Sequence, residues 1–283
     1  MSRPAAFDVV IVGKPYGNWE STLRAGGAAW RGVRGVRSVA LTRDGAARPG
    51  WPWWRGTQQF AIVFQIGNIL AAPRCCWSLL PSRRAVHVLN DKRRFAAFTA
   101  AEGLAALAPA NFASVAEARF PCVLKRTDLW GGQGVVVAHS AAELEHHLLS
   151  RPWSGRPFVL QAYVEGPEYA AHAIAVGGRL VWVTAYRHEA LPPFAIRAPL
   201  PQQPTAAAAL SDSDRADLER FLLPLGYDGP VCFDFKRGSD GRIRMLEINP
   251  RFGGSLFWDH NVGDLAAALD ALLAHAKWMP LFR

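Results

Sequence analysis

The chain has 283 residues, 50% of them hydrophobic, and its 32 Lys and Arg against 23 Asp and Glu give a net charge of +9. This length and composition exclude a disordered chain and suit one large core or two to three small globular domains. The positive balance favours anionic ligands such as nucleotides or carboxylates. Nucleic acid is disfavoured, because the arginines are scattered and no basic arm, zinc-finger spacing or RNA-binding aromatic motif is present.

Cysteine usage and hydropathy bear on the compartment. The four cysteines are Cys75, Cys76, Cys122 and Cys232. The adjacent pair cannot readily form a disulfide and the other two lie in apolar runs, which indicates a reduced, cytoplasmic setting. The N-terminal sequence MSRPAAFDVVIVGK lacks the basic segment and long apolar stretch of an export signal, and no window approaches the roughly 20 apolar residues of a membrane span.

The first third of the chain predicts a β-α-β unit and then a loop. DVVIVG, residues 8 to 13, predicts a strand, helix-compatible sequence continues to about residue 33, and RSVALTR predicts a second strand. GAARPGWPWWRG is rich in Gly and Pro and predicts a loop. Its tryptophans, Trp51, Trp53 and Trp54, are expected to pack on the protein's own surface, with an apolar pocket or a subunit interface as the alternatives.

The middle of the chain changes to strand-rich α+β sequence. AVHVLN predicts a short strand, and Asn90 or Asp91 is expected to cap the helix in NDKRRFAAFTAAEGL. FPCVLKR, GVVVAHS and FVLQAYV predict strands, and AAELEHHLLS predicts a helix. These changes of pattern predict an N-terminal α/β domain of residues 1–85, a small subdomain with a glycine loop of residues 86–164, and a C-terminal subdomain of residues 165–283.

The last third predicts a second strand-rich unit. Gly177-Gly178 predicts a tight turn between two strands in AAHAIAVGGRLVWVTAYRH. Residues 189–209 are rich in Pro and Ala and predict a long loop, which in a compact domain is usually a lid or a disordered segment. SDSDRADLERFLLPLG predicts a helix with an N-terminal cap and an acidic first turn.

Two alternating strands in VCFDFKRGSDGRIRMLEIN flank Asp240-Gly241, a pair favoured in two-residue hairpin turns. Such a turn would place Asp234 opposite Glu247, with Cβ atoms roughly 4.5–5.5 Å apart, and Asn249 two residues further along the same face. Adjacent carboxylates repel one another unless a cation lies between them, and oxygen ligands of this kind suit Mg²⁺. The sequence therefore predicts a metal site, with a solvated hairpin face as the alternative.

A glycine-rich segment and one arginine predict anion binding. Lys125 ends an apolar strand in VLKRTDLWGGQGVVV, and a loop of Gly131, Gly132 and Gly134 follows, whose backbone N–H groups can point at phosphates. Arg251, in LEINPRFGGS, has a planar guanidinium that can hold a phosphate or a carboxylate. Each pattern is weak alone, but in combination with a magnesium-type site they favour a nucleotide.

Together these motifs resemble the ATP-grasp family. From about residue 86 to residue 256 the chain contains NDK, VLK, a glycine loop, LQAYVEGPEY, DF and LEINPRFGGS in the family's order. The resemblance implies the ATP-grasp fold, with α/β and α+β parts. In that fold ATP lies between two α+β subdomains, and a short N-terminal α/β (pre-ATP-grasp) domain helps to bind substrate.

The resemblance also implies roles for individual residues. Those expected to bind ATP are Lys92 and Lys125 at the phosphates, Gly131, Gly132 and Gly134 in the loop over them, Gln161, Ala162 and Val164 at the adenine hinge, and Glu168 at the ribose hydroxyls. Those expected to hold two Mg²⁺ ions, with Mn²⁺ as an alternative, are Asp234, Glu247 and Asn249. Those expected to act on the reacting groups are Arg251, Lys125 and Arg187.

Some positions depart from the family's pattern. Gln161 stands where an acid is frequent, which leaves the contact with adenine open. Arg187 lies where relatives often have a basic residue near the γ-phosphate, and an ordinary surface arginine is the alternative. His188 and His260 lie near the site and could help to transfer a proton from an amine, although a solvated or structural histidine is the more common case.

The activity that the resemblance implies is an ATP-dependent carboxylate–amine ligase. A carboxylate is converted to an acyl-phosphate, ADP is released, and an amine then forms an amide or peptide bond. The expected partners are small-molecule substrates such as a metabolite or an amino acid, with neither nucleic acid nor membrane, and a homodimer is left open. The alternatives are an ATP-grasp phosphotransferase and a non-catalytic nucleotide-binding module.

Overall fold

The computed structural model describes residues 2–13, 15, 19–42, 58–70, 72, 76–129, 131–189, 191–197 and 204–279. The strands of this part of the chain form three sheets, two with five strands and one with four. The predicted Trp51–Trp54 loop lies outside the described residues. Within the described ranges, every helix is too short or too polar to cross a membrane.

The N-terminal part contains strands β1 (Phe7–Val12), β2 (Val36–Leu41), β3 (Gln59–Val63) and β4 (Cys76–Ser78) and short helices α1 (Trp19–Leu23) and α2 (Ile66–Leu70). β1 pairs in parallel with β2 and β3, so the predicted β-α-β unit is confirmed. A fifth strand, β14 (Lys277–Met279), pairs with β4 and places Trp278 opposite Trp77. A segment close to the C-terminus therefore completes the N-terminal sheet.

Helix α3 (Arg83–Leu89) occupies AVHVLN, whose alternation predicts a strand, and this prediction is wrong. Ser82 caps the helix by accepting a hydrogen bond from a backbone N–H three residues later. Val86 and Leu89 are both buried and three residues apart, which is the spacing of one helix face. A run of six residues is too short for its period to separate a strand from a helix.

The small sheet belongs to the middle of the chain. Helix α4 (Lys92–Ala101) is capped by Asp91, one of the two residues predicted for this role. It precedes strands β5 (Asn111–Phe112), β6 (Cys122–Arg126), β7 (Val135–Ala138) and β8 (Phe158–Ala162), and helix α5 (Ala141–Leu149) connects the last two. The strand order is β5-β8-β6-β7. One face packs on α5 through Leu124, Leu160 and Leu144. Because side chains alternate along a strand, the residues between these form the opposite face of the sheet, which lines the site described below.

The large sheet consists of β9 (Tyr169–Val176), β10 (Arg179–His188), β11 (Thr205–Ala207), β12 (Gly229–Arg237) and β13 (Ile243–Asn249), in the order β11-β10-β9-β12-β13. The predicted helix α6 (Asp212–Leu222) covers one face, where Phe221 packs with Phe233. Helix α7 (Val262–Ala274) covers part of the other face. It also packs against the N-terminal sheet, since Leu269 shares a buried cluster with Ile174 and Ile11.

Part of the predicted loop of residues 189–209 forms a β-strand. Strand β11 adds three residues to the edge of the large sheet by pairing with β10. Residues 191–197 run beside the cavity described below, and residues 190 and 198–203 lie outside the described part. The division of the chain into three parts remains a prediction. Its limit between residues 164 and 165 falls between β8 and β9, whereas the limit between residues 85 and 86 falls within α3.

A buried carboxylate fixes α6 to the large sheet. Ser211 and Asp214 form a capping box, in which each side chain accepts a hydrogen bond from the other residue's backbone N–H, at 3.1 and 2.9 Å. Both Asp214 oxygens also accept from the guanidinium of Arg237 on β12, at 2.9 Å each. Burial raises the pKa of Asp214, but the hydrogen bonds from Arg237 and Ser211 outweigh it and hold the pKa below its usual 3.8.

We predict that Asp214→Ala lowers the free energy of unfolding at pH 7 by about 2–4 kcal/mol, because it removes the cap and leaves Arg237 without its carboxylate. The folded pKa of Asp214 is depressed, so its contribution is complete above the unfolded value of 3.8 and is lost as the pH falls through the folded pKa. Chemical denaturation at pH 7 and at pH 3 measures both effects.

The matched control is Asp212→Ala, which changes an exposed acid in the same helical turn. We expect it to cost less than about 1 kcal/mol, since only a helix-dipole interaction is lost. Equal losses in the two variants would contradict the role given to the Asp214–Arg237 pair.

Candidate active site

A cavity of about 420 Å³ lies between the small sheet and the large sheet, and most of the predicted site residues line it. Those on the side of the small sheet are Lys92, Lys125, Gly131, Gly132, Gln161, Ala162 and Val164. Those on the side of the large sheet are Glu168, Asp234, Glu247, Asn249 and Arg251. Two predicted residues, Gly134 and Arg187, are not among the residues that line it.

Gly134 closes the turn between β6 and β7. Its carbonyl accepts from the Arg126 N–H at 2.8 Å, and its φ of +62° lies in the left-handed region that favours glycine. Arg187 is exposed. Because side chains alternate along β10, it is the adjacent His188 that faces the cavity. The structure therefore does not bring Arg187 to the site.

The two histidines near the site differ in position. His188 lines the cavity, and its Nδ1 is buried without a hydrogen-bond partner in the described part of the chain. Burial, together with the charge of Arg197, lowers the pKa of His188 to about 4, so its imidazole is neutral at pH 7. His260 does not line the cavity, and its Nε2 lies 3.0 Å from Thr205 Oγ1. Of the two, only His188 can face a ligand here.

One face of the large sheet presents polar groups in rows across adjacent strands. The pairing registers place Asp234 of β12 between Ala170 of β9 and Glu247 of β13. The next row on this face consists of His172, Cys232 and Asn249. Ala170 also lines the cavity, and its small side chain leaves space above the sheet beside the two carboxylates.

The predicted pairing of Asp234 with Glu247 is confirmed, but the predicted two-residue turn is wrong. Near the turn, Arg237 pairs with Ile243, which differs by one residue from the register that a two-residue turn at Asp240-Gly241 would set. The register shifts immediately after Asp234, where a β-bulge begins. The bulge, and not the turn, brings the two carboxylates opposite one another.

The bulge also directs two consecutive side chains into the cavity. Its extra residue is Leu246, which has no partner on β12. Both Leu246 and Glu247 line the cavity, while Met245 and Ile248 on either side of them are buried in the core. Regular alternation would have buried one of the two cavity residues. The bulge therefore places an apolar and an acidic side chain side by side in the same wall.

The paired carboxylates crowd negative charge on this wall. Burial, and then the charges of Glu247 and Glu168, raise the pKa of Asp234 from 3.8 to about 7, although Arg251 lowers it. Asn249 Nδ2 donates to Asp234 Oδ2 at 2.9 Å, so the amide lies against the same carboxylate. A divalent cation relieves such crowding, and carboxylate and amide oxygens are the ligands that Mg²⁺ accepts.

The donor set fits Mg²⁺ and not a softer metal. Within the described ranges, no three His, Cys, Asp or Glu side chains converge as a metal-binding group. Two carboxylates and one amide oxygen leave coordination positions for water and phosphate, as Mg²⁺ requires. Asn249 Oδ1 accepts from Arg251 Nη2 at 3.5 Å, so this amide must turn its oxygen towards the carboxylates to serve as a ligand.

Two lysines face this wall from the small-sheet side. Burial lowers the pKa of Lys125 from 10.5 to about 8, although Glu247 raises it, and Lys92 lowers it further. Lys92 Nζ donates to the Leu129 carbonyl at 2.7 Å, which ties it to the start of the glycine loop. Two cations beside a loop of glycine N–H groups form an arrangement that suits a polyphosphate.

Val123 of the small sheet and Leu246 of the large sheet both line the cavity, and the space between them is called the apolar slot here. Gln161 Nε2 donates to Asn111 Oδ1 at 2.9 Å. Lys236 Nζ donates to the Val164 carbonyl at 3.0 Å, so this carbonyl already has a partner. The slot suits a flat heterocycle, with hydrogen-bonding groups along one side.

Arg197 is a cavity residue that the sequence patterns do not identify. Its Nε donates to Glu168 Oε2 at 2.9 Å, and its Nη2 donates to the Glu189 carbonyl at 2.6 Å. The carboxylate expected at the ribose is therefore held by a guanidinium. Arg197 lies in a Pro-rich loop, where neither a helical nor a strand period marks the side on which a residue lies.

A buried histidine supports the loop that follows β13. His172 Nε2 lies 2.8 Å from Ser255 Oγ, and burial lowers the pKa of His172 to about 3, so the imidazole is neutral at pH 7. A Cβ on Gly253 would lie 2.4 Å from His172 Cε1 and 2.5 Å from Cys232 Sγ, so only glycine fits there. The only sequence signal for His172 is its position as a polar residue within the apolar strand AAHAIAV.

We predict that Lys125→Met stabilises the ligand-free chain by about 1–3 kcal/mol at pH 7, because it removes a charge that burial disfavours. The folded pKa of about 8 lies below the unfolded value of 10.5. Between these values the unfolded chain binds more protons, so wild-type stability rises with pH, and this rise should be smaller in the variant. Chemical denaturation at pH 7 and pH 10 tests both statements, and a variant that is less stable at pH 7 would contradict them.

No protein-family model matches the sequence, and no curated protein matches it. Solved structures match through their fold. The D-cycloserine synthetase DcsG has a TM-score of 0.62 at 18% identity, over 94% of this chain and 99% of the synthetase. The ATP-grasp ligase PsnB, complexed with a minimal precursor, has a TM-score of 0.58 at 18% identity, over 94% of this chain and 99% of the ligase.

A third solved structure extends the comparison to a bound nucleotide. The D-alanine–D-alanine ligase from Bacillus anthracis, complexed with ATP, has a TM-score of 0.56 at 14% identity and covers 96% of each chain. The three likenesses span almost the whole of each chain, so the architecture is shared from end to end. At these identities they show the fold alone, and the chemistry has to be argued from the cavity.

Proposed function

We propose that this chain, which has the ATP-grasp fold, is an ATP-dependent ligase that joins a small-molecule carboxylate to an amine and releases ADP and phosphate. The observation that carries the proposal is the cavity between the two sheets, which gathers Lys92, Lys125 and the glycine loop on one side. Its opposite side gathers acids and an amide that suit a divalent cation. The three proteins compared above are, by their names, a synthetase and two ligases.

The cavity offers a place for each part of ATP. The slot between Val123 and Leu246 takes the base, and Glu168 beside it takes the ribose hydroxyls, with Arg197 holding the second carboxylate oxygen. Lys92, Lys125 and the glycine loop take the phosphates. Phosphates held by these groups would face the acids on the opposite wall.

Asp234, Glu247 and Asn249 would hold Mg²⁺, because they form the hard oxygen set on that wall. Bound there, Mg²⁺ supplies positive charge that offsets the repulsion between two anionic reactants. The number of ions and the use of Mn²⁺ in their place follow from the resemblance in sequence, and two Mg²⁺ ions are the expectation.

The reaction proceeds in two displacements. A substrate carboxylate oxygen attacks the γ-phosphorus, a P–O bond forms, and the bond to the ADP oxygen breaks to give an acyl-phosphate and ADP. The amine nitrogen then attacks the acyl carbon, the C–O bond to phosphate breaks, and a proton passes from the nitrogen to solvent or to a base. Lys125 and Arg251 neutralise the anions that meet in the first step, whose mutual repulsion opposes the reaction.

The loop after β13 forms the acceptor side of the cavity. Arg251, Gly254, Ser255 and Trp258 line this side, and His188 faces them from β10. With its neutral imidazole, His188 is the histidine that can accept a hydrogen bond from the incoming amine. Arg187 has no part in this mechanism, because it lies outside the cavity.

A reducing compartment suits the cysteines of the chain. Cys122 and Cys232 are buried free thiols among the described residues, and Cys232 lies beside the proposed metal site. Free thiols inside a core are ordinary in reducing compartments. A cytoplasmic location is therefore part of the proposal.

We predict that Glu247→Gln lowers ADP formation at least about 100-fold without unfolding the chain, because it removes one of the two carboxylates that hold the metal. The assay follows ADP and AMP separately, with Mg²⁺, ATP, a pool of carboxylic acids and hydroxylamine. Hydroxylamine is an amine that traps acyl-phosphates as hydroxamates, so a hydroxamate, detected as its coloured complex with added Fe³⁺, reports the first displacement. Circular dichroism of the variant checks the fold.

The matched control is Glu145→Gln, an exposed acid on α5 that is far from the cavity and should leave turnover unchanged. ADP and hydroxamate that depend on the acid pool and on Glu247 support the ligase. ADP with a stable phosphorylated product and no hydroxamate would replace it with a phosphotransferase. Full turnover by Glu247→Gln would overturn the site, and tight ATP binding without turnover in any pool would favour a non-catalytic module.

A further inference from the structure

The acceptor side of the cavity contains a tryptophan that no step of the proposed reaction uses. Trp258 is partly buried and lines the cavity. Two imidazoles lie near its indole: that of His188, with ring centroids 6.0 Å apart and planes at 74°, and that of His260, at 5.8 Å and 46°. His260 Nε2 in turn lies 3.0 Å from Thr205 Oγ1 on β11. These contacts hold the indole in place as part of the cavity wall.

Hydrogen bonds within the loop after β13 fix the backbone at Trp258. Its N–H donates to the Ser255 carbonyl at 3.4 Å, and its own carbonyl accepts from the Asn261 N–H at 2.8 Å. Gly254 also lines the cavity, and a Cβ built on it would have no atom closer than 3.9 Å. The loop therefore presents a fixed aromatic side chain together with a position where no side chain fills the wall.

The charges on the acceptor side disfavour a cationic ligand. Arg251 carries the only permanent charge among the described residues that line this side. Burial lowers the pKa of His188 to about 4, so its imidazole is neutral at pH 7. The acids of the cavity lie elsewhere, on the wall that suits the metal and at Glu168, which accepts from Arg197 at 2.9 Å. An ammonium group on the acceptor side would thus meet Arg251 without a carboxylate from this side to offset the repulsion.

Of the two substrates, the acid fits these groups better than the amine. Arg251 and Trp258 belong to the same loop, so a carboxylate held by the guanidinium has the indole on its own side of the cavity. A flat ring on the acid can pack on the indole in an offset-stacked or edge-to-face arrangement, which adds attraction beyond the burial of apolar area. A protonated amine would instead be repelled by Arg251.

We propose that the acid substrate has a flat, uncharged aromatic body that packs on Trp258 while Arg251 holds its carboxylate. Trp258 is then a specificity-determining residue in contact with the substrate. The inference rests on the proposed function, since it needs a carboxylate that reacts beside the acids of the opposite wall. It names the class of acid: an aromatic carboxylic acid without an ammonium group, in preference to an aliphatic acid or a free amino acid.

The experiment is a calorimetric titration of the full chain, loaded with Mg²⁺ and a non-hydrolysable imido analogue of ATP, with three acids of matched size. Phenylpropanoate carries its ring on the terminal carbon. Cyclohexylpropanoate replaces that ring by one that is neither flat nor aromatic, and it is the more apolar acid, so burial of apolar area alone would favour it. Phenylalanine adds only an ammonium group to phenylpropanoate. The readout is the ratio of dissociation constants.

We expect the wild type to bind phenylpropanoate at least about threefold more tightly than cyclohexylpropanoate, because of the ring contact. It should bind phenylpropanoate at least about tenfold more tightly than phenylalanine, because the ammonium group is unpaired. Trp258→Leu should lose the first preference and keep the second, whereas Trp258→Phe, which retains a ring, should keep both. In the hydroxamate assay, Trp258→Leu should raise the KM for phenylpropanoate more than it lowers kcat, since the indole contacts the body of the acid and not the reacting atoms.

The matched control is Trp278→Leu, which removes an indole on β14 that does not line the cavity. Both ratios should stay at their wild-type values in this variant, so a general effect of losing a tryptophan is separated from the effect of losing Trp258.

Four results would overturn the inference and leave the proposed function standing, provided that the nucleotide analogue binds. These are equal or tighter binding of cyclohexylpropanoate, equal or tighter binding of phenylalanine, a Trp258→Leu variant that keeps the wild-type preference for the aromatic ring, and failure of the loaded chain to bind any of the three acids. Failure to bind the nucleotide analogue, or full turnover by Glu247→Gln, would overturn the proposed function itself, and the inference with it.

Discussion

The rest of the site depends on the close approach of two carboxylates on one face of the large sheet. Asp234 and Glu247 lie opposite one another on adjacent strands, and the opposing wall presents Lys125 close to Lys92. The charged form is disfavoured on both walls. The pKa of Asp234 is raised to about 7 and that of Lys125 is lowered to about 8, so each side chain shifts towards its neutral form. A cation beside the acids and a polyphosphate beside the lysines would relieve both walls at once, and the cavity between them has the size for such a pair.

The same region concentrates polar atoms that the protein leaves unsatisfied. Gln161 and His188 line the cavity, and His172 lies against the loop after β13, through Ser255 and Gly253. Each has one buried nitrogen or oxygen without a partner among the described residues. A core selected for stability alone would pair these atoms or replace them, so their position at one cavity is a sign of ligand binding. Glycine at position 253 lets the backbone approach His172 and Cys232 closely.

Local patterns predicted the elements well where the period was long or the cap was distinct. Helix α6 has an acidic first turn and the Ser211 cap, and β9 and β10 meet at a Gly-Gly turn, so each was readable from a single stretch. The prediction of a strand in AVHVLN is wrong because six residues fit both the helical and the strand period. The helix depends on burial against neighbours far away in the chain. The pairing of Asp234 with Glu247 was predicted from a turn that does not form, and it holds only because a bulge at Leu246 corrects the register.

The sequence by itself determined the motif order, the two sets of charged residues and the fold that they resemble, because each of these is encoded in short segments whose residue types have few other uses. Only the tertiary structure decided which side chains face the cavity. It placed His188 there and left Arg187 outside, although the two are adjacent, and it brought in Arg197 from a loop without a period. It also joined Asn111 to Gln161 and added β14 to the first sheet. Some of these relations join residues far apart in the chain, and others depend on which of two adjacent side chains faces the cavity. Both follow from tertiary packing, which a local sequence pattern does not contain.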